Sequence, residues 1–307
     1  MRDMEYGLGV MAAALLGASF VLQQGAAQQV PATNFMHLRL VAELLRKPRW
    51  LAGIGTMILG QLLSAWVVGH ITLAVYEPLL TMNLLIALIL AWPLSRQRLT
   101  AGEIAGTVIL LVGVVALSAA QSVSSIHDTV GSPRYWPYCG GGVAVIAVLL
   151  AGAARRRPGT ARAVFAGIAA GLVFAVQDAL TRRVVDTFID PHRIIALLAN
   201  WPVYCLITAG ATGLWLMQNA FSSAPLHVSL PAINATEPVC GIVFGIILFR
   251  ERVPVSCGMI ALQCAGLVAL VAGVVLVARA PTLSSIHPGR RMANPNSQPA
   301  ATDERDK

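Results

Sequence analysis

Three acidic side chains fall well inside stretches apolar enough to cross a bilayer: Glu77, Asp178 and Glu237. A charge at the bilayer centre costs at least about 2.5–3.5 kcal/mol. Each carboxyl must therefore face a cavity, find a partner or hold a proton. Glu237 is the strongest candidate. Pro238 beside it and Pro231 two turns earlier bend the helix and free backbone carbonyls. Asn234 lies three residues before it on the same face, so carboxylate and amide together can receive a cation or a proton. Glu77 precedes Pro78, with Thr81 four residues on and Asn83 deeper. It suits an outer vestibule, and its competing structural role is an interfacial carboxylate reaching for water. Asp178 has Arg182 four residues on, the spacing of a local ion pair, so a structural role is favoured for it.

Buried amides bond across helices and can contact a solute. Gln23 and Gln177 are singled out because they occupy matching places in the two halves of the chain. The expected binding set is therefore Glu237, Asn234, Glu77, Asn83, Gln23, Gln177 and Asp178. Glu77 and Glu237 become metal ligands only if a divalent cation is the cargo. His227 reads as an interfacial residue. The five cysteines sit in apolar stretches with no paired spacing and read as packing residues.

These side chains need elements to hold them, and composition says which kind. The chain has 307 residues, 56% hydrophobic and 12% charged, with mean hydropathy +0.70. A soluble domain carries about 25% charged residues. This chain cannot wet its own surface, so it reads as an all-α polytopic membrane protein. Nine stretches of helix-spanning length follow: Tyr6–Gln24, Trp50–Gly69, Ile71–Leu94, Ile104–Ala120, Trp136–Ala154, Val164–Thr181, Ile194–Gln218, Leu226–Phe249 and Val255–Ala278. They are continuous apolar runs, so a barrel of alternating strands is excluded. Between the first two, the apolar positions Phe35, Leu38, Val41/Ala42 and Leu45 predict an amphipathic surface helix over 31–47, or equally a loop helix. The tail 281–307 has the composition of a disordered segment.

Starting outside and crossing nine times puts 15 of the 22 Lys and Arg residues on the inner side, with the C-terminus. That bias obeys the positive-inside rule and absorbs the net charge of +8 without nucleic acid. A shift of 154 residues carries Gly17, Phe20, Gln23 and Val30 onto Gly171, Phe174, Gln177 and Val184. A shift of 153 carries Pro78, Gly113, Ala116 and Leu117 onto Pro231, Gly266, Ala269 and Leu270. Five crossings separate partners, so the halves would face opposite ways, an inverted 4+1+4 repeat. The expected organisation is a first membrane repeat at 1–120, a linker helix and basic loop at 121–162, and a second repeat at 163–280. Glycines 17, 106, 113, 171, 266 and 273 are expected to let helices approach closely.

The run Ala235-Thr236-Glu237-Pro238-Val239, then Glu251-Arg252, Gly258 and Gly266, resembles the closing signature of the EamA domain. That domain belongs to the drug/metabolite transporter (DMT) superfamily. The first half, with Pro78, the turn Gln97-Arg98-Leu99, Gly106 and Gly113, is similar to the nine-span, NIPA-type branch of that superfamily. Gln97 departs from the acidic residue the family carries before that arginine. The resemblance covers residues 6–280. It implies a DMT-like helix bundle with alternating access. It also implies a cargo: metabolites, amino acids or drugs in the EamA branch, magnesium in the NIPA-type branch.

The leading expectation is a secondary transporter of a small metabolite, drug or amino acid, coupled to protons or ions. Its alternatives are magnesium or other divalent cation transport, and a non-transporting membrane scaffold. No phosphate-binding loop or hydrolase motif occurs, and Gly7–Ala12 matches a dinucleotide fingerprint only inside a span. The chain is therefore read as no enzyme, with no cofactor. Its expected partners are membrane lipid, a small-molecule or ion substrate, and a second copy in a homodimer. Its expected location is the plasma membrane.

Overall fold

A computed structural model of the chain describes residues 2–31, 34–68, 82–91, 100–121, 134–188, 201–249 and 256–279. Every regular element among them is a helix. They are α1 (Arg2–Ala27), α2 (Leu38–Leu44), α3 (Pro48–Val68), α4 (Met82–Ala91) and α5 (Ala101–Gln121). Then follow α6 (Trp136–Arg155), α7 (Gly159–Phe188), α8 (Trp201–Ser223), α9 (Leu226–Phe249) and α10 (Cys257–Arg279). The all-α polytopic expectation holds. Five stretches have the length and apolarity to cross a membrane: Tyr6–Ala27, Trp136–Arg155, Gly159–Thr181, Leu226–Phe249 and Cys257–Leu276. Met82–Ala91 and Ala101–Leu117 are shorter apolar helices.

An apolar run in lipid can satisfy its amides only within itself, which makes helix obligatory. The solvent these helices expect is written on their outer faces. Val148 and Leu149 of α6 and Val268 of α10 are 71%, 67% and 68% exposed. A continuous apolar surface of this kind belongs against hydrocarbon. Local signals set the ends. At α5, the Thr100 amide donates to Glu103 Oε2 at 2.7 Å while the Glu103 amide donates to Thr100 Oγ1 at 3.3 Å, a reciprocal capping box. Between α6 and α7, Pro158 removes a donor and Gly159 takes φ +55, a conformation glycine adopts without penalty.

Two antiparallel pairs, α1 on α3 and α7 on α8, form the body. α9 runs parallel beside α7, α6 covers α7, and α10 lies antiparallel against α5. The α5–α10 contact is backbone on backbone. A Cβ on Gly113 would stand 2.6 Å from the Leu270 nitrogen and 2.7 Å from the Gly266 oxygen. Gly273 is as close to Gly106, 2.7 Å from its oxygen. The close-approach role expected of these glycines is what the structure shows.

Two points refine the expectations. Among the described residues of the segment 31–47, Leu38–Leu44 is the α-helix. Its buried side is Phe35, Met36, Leu40 and Leu44, while Leu38 and Leu45 are 80% and 54% exposed. The reason is tertiary. Met36 adopts φ 56, its amide donates to Asn219 Oδ1 at 2.6 Å, and its carbonyl accepts from Arg155 Nη2 at 3.2 Å. The Arg162 guanidinium lies 4.8 Å over the Phe35 ring. The segment is a plug seated on the bundle by these contacts, with Leu38, Ala42 and Leu45 left on its outer side. Second, Cys205, Cys257 and Cys264 are exposed rather than packed; Cys139 and Cys240 are half-buried.

These contacts define a basic end of the bundle, where α1, α6 and α8 finish and α7 and α9 begin. At the opposite end Trp136 meets Trp201 edge-on at 5.7 Å and Phe249 at 6.1 Å. Arg183 lies 5.5 Å and 5.4 Å over the two indole rings. The tail 281–307 lies outside the described residues.

Candidate functional site

The site grows from the parallel contact of α7 with α9. Gly171 is the point of closest approach: a Cβ there would meet the Ile233 oxygen at 2.7 Å and Thr236 Cβ at 2.8 Å. Without a side chain at Gly171 the two backbones draw together, and the carboxyls further along them come within reach. Asp178 and Glu237 are hydrogen-bonded side chain to side chain. Glu237 is half-buried. Asp178 is exposed.

One turn before Glu237, Asn234 Nδ2 donates to Asn83 Oδ1 of α4 at 3.5 Å. A line of oxygen donors therefore crosses three helices: Asp178 on α7, Glu237 and Asn234 on α9, Asn83 on α4. Two hydrogen-bonded carboxyls share a proton, because two bare carboxylates at contact repel. Such a pair can exchange that proton for a cation. Among the described residues no three His, Cys, Asp or Glu side chains converge on one point.

The expected binding set is thus divided. Asp178 joins Glu237, and Asn83 joins Asn234. The Asp178 carboxyl bonds across to α9, and the ion pair expected between Asp178 and Arg182 involves a side chain outside the described residues. Glu77 also lies outside them. Gln23 is elsewhere, on the α1–α8 seam, where its Oε1 accepts from Gln218 Nε2 at 2.6 Å and its Nε2 lies 3.6 Å from Met57 Sδ. Gln177 is next to Asp178 in sequence but faces Gly210 of α8.

Sequence reasoning passed over one buried pair. His227 Nε2 and Glu103 Oε1 are 3.1 Å apart, their side chains 4% and 1% exposed. His227 is therefore no lone interfacial histidine. The signal that points to Glu103 is the capping box Thr100-x-x-Glu103, which sits one residue before the fourth expected span.

Several apolar helices long enough to span make the chain an integral, multi-pass membrane protein. The sequence profile of the NIPA magnesium transporter family matches residues 3–282, and the chain belongs to that family. Its members are transporters. The chain is also 28% identical over 236 residues to an uncharacterized protein of Corynebacterium glutamicum, covering 76% of this chain and 80% of that one. No solved structure matches.

Proposed function

We propose that this protein carries magnesium across a membrane and that the hydrogen-bonded Asp178 and Glu237 are its exchange site. The observation that carries the reading is the meeting of these two carboxyls inside apolar helices, where either charge by itself would be costly. Magnesium holds its waters and is usually bound through one or two carboxylates rather than an all-protein cage. Two carboxyls suit that habit, with the amides of Asn234 and Asn83 placed to accept or donate to the retained waters. A proton shared by the pair leaves when the cation arrives. Family membership favours the cation over the organic solutes expected from the wider superfamily.

We further propose nine crossings in two inverted halves, 1–120 and 163–280, joined by α6, with the basic end inside the cell. Three matched contacts support it. Gly17 abuts the Asn83 oxygen and Ala87 nitrogen of α4, as Gly171 abuts the Ile233 oxygen and Glu237 nitrogen of α9. Gln23 lies over Gly53 as Gln177 lies over Gly210. Gly113 and Gly266, counterparts in the repeat, pack on each other as residues on a pseudo-two-fold axis must.

The test is magnesium flux in proteoliposomes made with the full chain. The expected result is uptake in the parent, with Glu237→Gln and Asp178→Asn each losing most of it while remaining folded. No magnesium uptake by the parent, or full uptake by both variants, overturns the proposal.

A further inference from the structure

The inverted halves have an asymmetry. α1–α3 and α7–α8 pack in the same register, since Gln23 covers Gly53 and Gln177 covers Gly210. The step of 157 residues from Gly53 to Gly210 also carries Ala52, Leu59 and Gln61 onto Ala209, Leu216 and Gln218. Gln218 is therefore the counterpart of Gln61, as Gln177 is of Gln23.

Near the basic end, Gln218 donates to Gln23 at 2.6 Å, with both side chains fully buried. This bond joins α8 to α1, and Gln24 Nε2 adds a donation to the Ala224 oxygen at 3.4 Å. The counterpart bond would join Gln61 of α3 to Gln177 of α7 near the opposite end. It is not made. Gln61 is exposed, and the buried Gln177 Oε1 has no hydrogen-bond partner. Among the described residues α3 and α7 show no packing comparable to that of α1 on α8.

We infer that Gln23–Gln218 and Gln61–Gln177 are alternate latches, one for each end of the bundle, exchanged as access switches across the membrane. An amide oxygen orphaned among apolar helices is a standing penalty that a partner would remove. Gln177 Oε1 is such a group, as is Gln218 Oε1 within the closed latch, and the repeat supplies Gln61 as the partner of Gln177. Exchange of like for like keeps the two states close in free energy, which a carrier that must visit both requires. The inference rests on the inverted-repeat reading above and does not depend on which solute moves.

The experiment uses the full chain in proteoliposomes, with Cys139, Cys205, Cys240, Cys257 and Cys264 replaced by serine. Two double variants are made: Gln23→Cys with Gln218→Cys, and Gln61→Cys with Gln177→Cys. A short bifunctional thiol reagent should link the first pair at rest and the second pair during turnover with magnesium chloride present. Either link should stop transport. Interhelical hydrogen bonds in membranes are weak, so adding Gln218→Leu to the second pair should speed its linking by roughly three- to twentyfold. Gln61→Leu should favour the first pair by the same logic. Gln218→Met, of similar volume, replaces Gln218→Leu should that variant not fold, and must act in the same direction. A second pair that never links, or leucine variants that leave both rates unchanged, overturns the inference. Absent magnesium flux with intact, mutually exclusive linking would remove the magnesium reading and leave the latches standing.

Discussion

Glu103 of α5 and His227 of α9 meet 3.1 Å apart at the basic end, almost wholly buried. Glu103 does two things at once. Its Oε2 accepts the Thr100 amide and completes the cap of α5, while its Oε1 faces the imidazole. The contact is one of proximity, since neither ring nitrogen has hydrogen-bond geometry to a partner. It ties a helix of the first half to one of the second at the same end as the Met36 plug.

Removing one member of that pair leaves the other uncompensated. Leaving a buried polar group without its partner costs about 1–3 kcal/mol, whereas replacing both members together is far milder. His227→Ala should therefore lower the melting temperature in detergent, and Glu103→Ala should lower it further by losing the α5 cap. The double variant Glu103→Gln with His227→Asn should recover part of the loss. Strictly additive effects in thermal unfolding would show that the two side chains are not coupled.

Magnesium itself should stabilise the fold. A ligand that binds only the native state raises stability by about 2.7 kcal/mol at a hundred times its dissociation constant. Melting of the parent should rise with added magnesium chloride, and Glu237→Gln or Asp178→Asn should abolish the rise. An equal rise in parent and variants would place the bound ion elsewhere.

The α5–α10 seam should reject any side chain. Overpacking a tight core costs about 1–3 kcal/mol, and a Cβ on Gly113 has backbone only 2.6 Å away. Gly113→Ala and Gly266→Ala should both destabilise. Gly141→Ala is the control, because nothing lies within 4 Å of its Cβ position. There, helix propensity favours alanine by about 0.8–1 kcal/mol. Thermal unfolding that ranks the three alike would refute the close approach.

The plug should loosen when its anchor goes. Asn219→Ala removes the acceptor of the Met36 amide, so hydrogen exchange over residues 34–44 should quicken while exchange in α7 does not change. Met36→Gly relieves a left-handed backbone that costs a non-glycine residue about 1–2 kcal/mol. It should be tolerated at least as well as Met36→Ala. Slower exchange in Asn219→Ala would contradict the anchor.

Membrane residence and helix content were legible before any coordinates, because hydropathy and run length are local properties. Close approach at Gly113, Gly171 and Gly266 was legible too, since small residues at matched positions in apolar helices leave little else for them to do. How the 31–47 segment seats on the bundle was not legible, because spacing reports one face of an isolated helix. Met36, held at φ 56 by Asn219 and Arg155, obeys residues far away in the chain. The contact of Asp178 with Glu237 was not legible for the same reason: Glu237 lies on another helix.

By itself, then, the sequence determined the solvent, the secondary structure and the short inventory of polar groups that lipid would not tolerate unpaired. Those follow from transfer free energies that each residue carries with it. The tertiary structure decided which of those groups meet: Asp178 with Glu237, Gln23 with Gln218, Glu103 with His227. Pairing depends on how close glycines let two backbones come and on the register in which helices pack, and neither quantity belongs to any single stretch of chain.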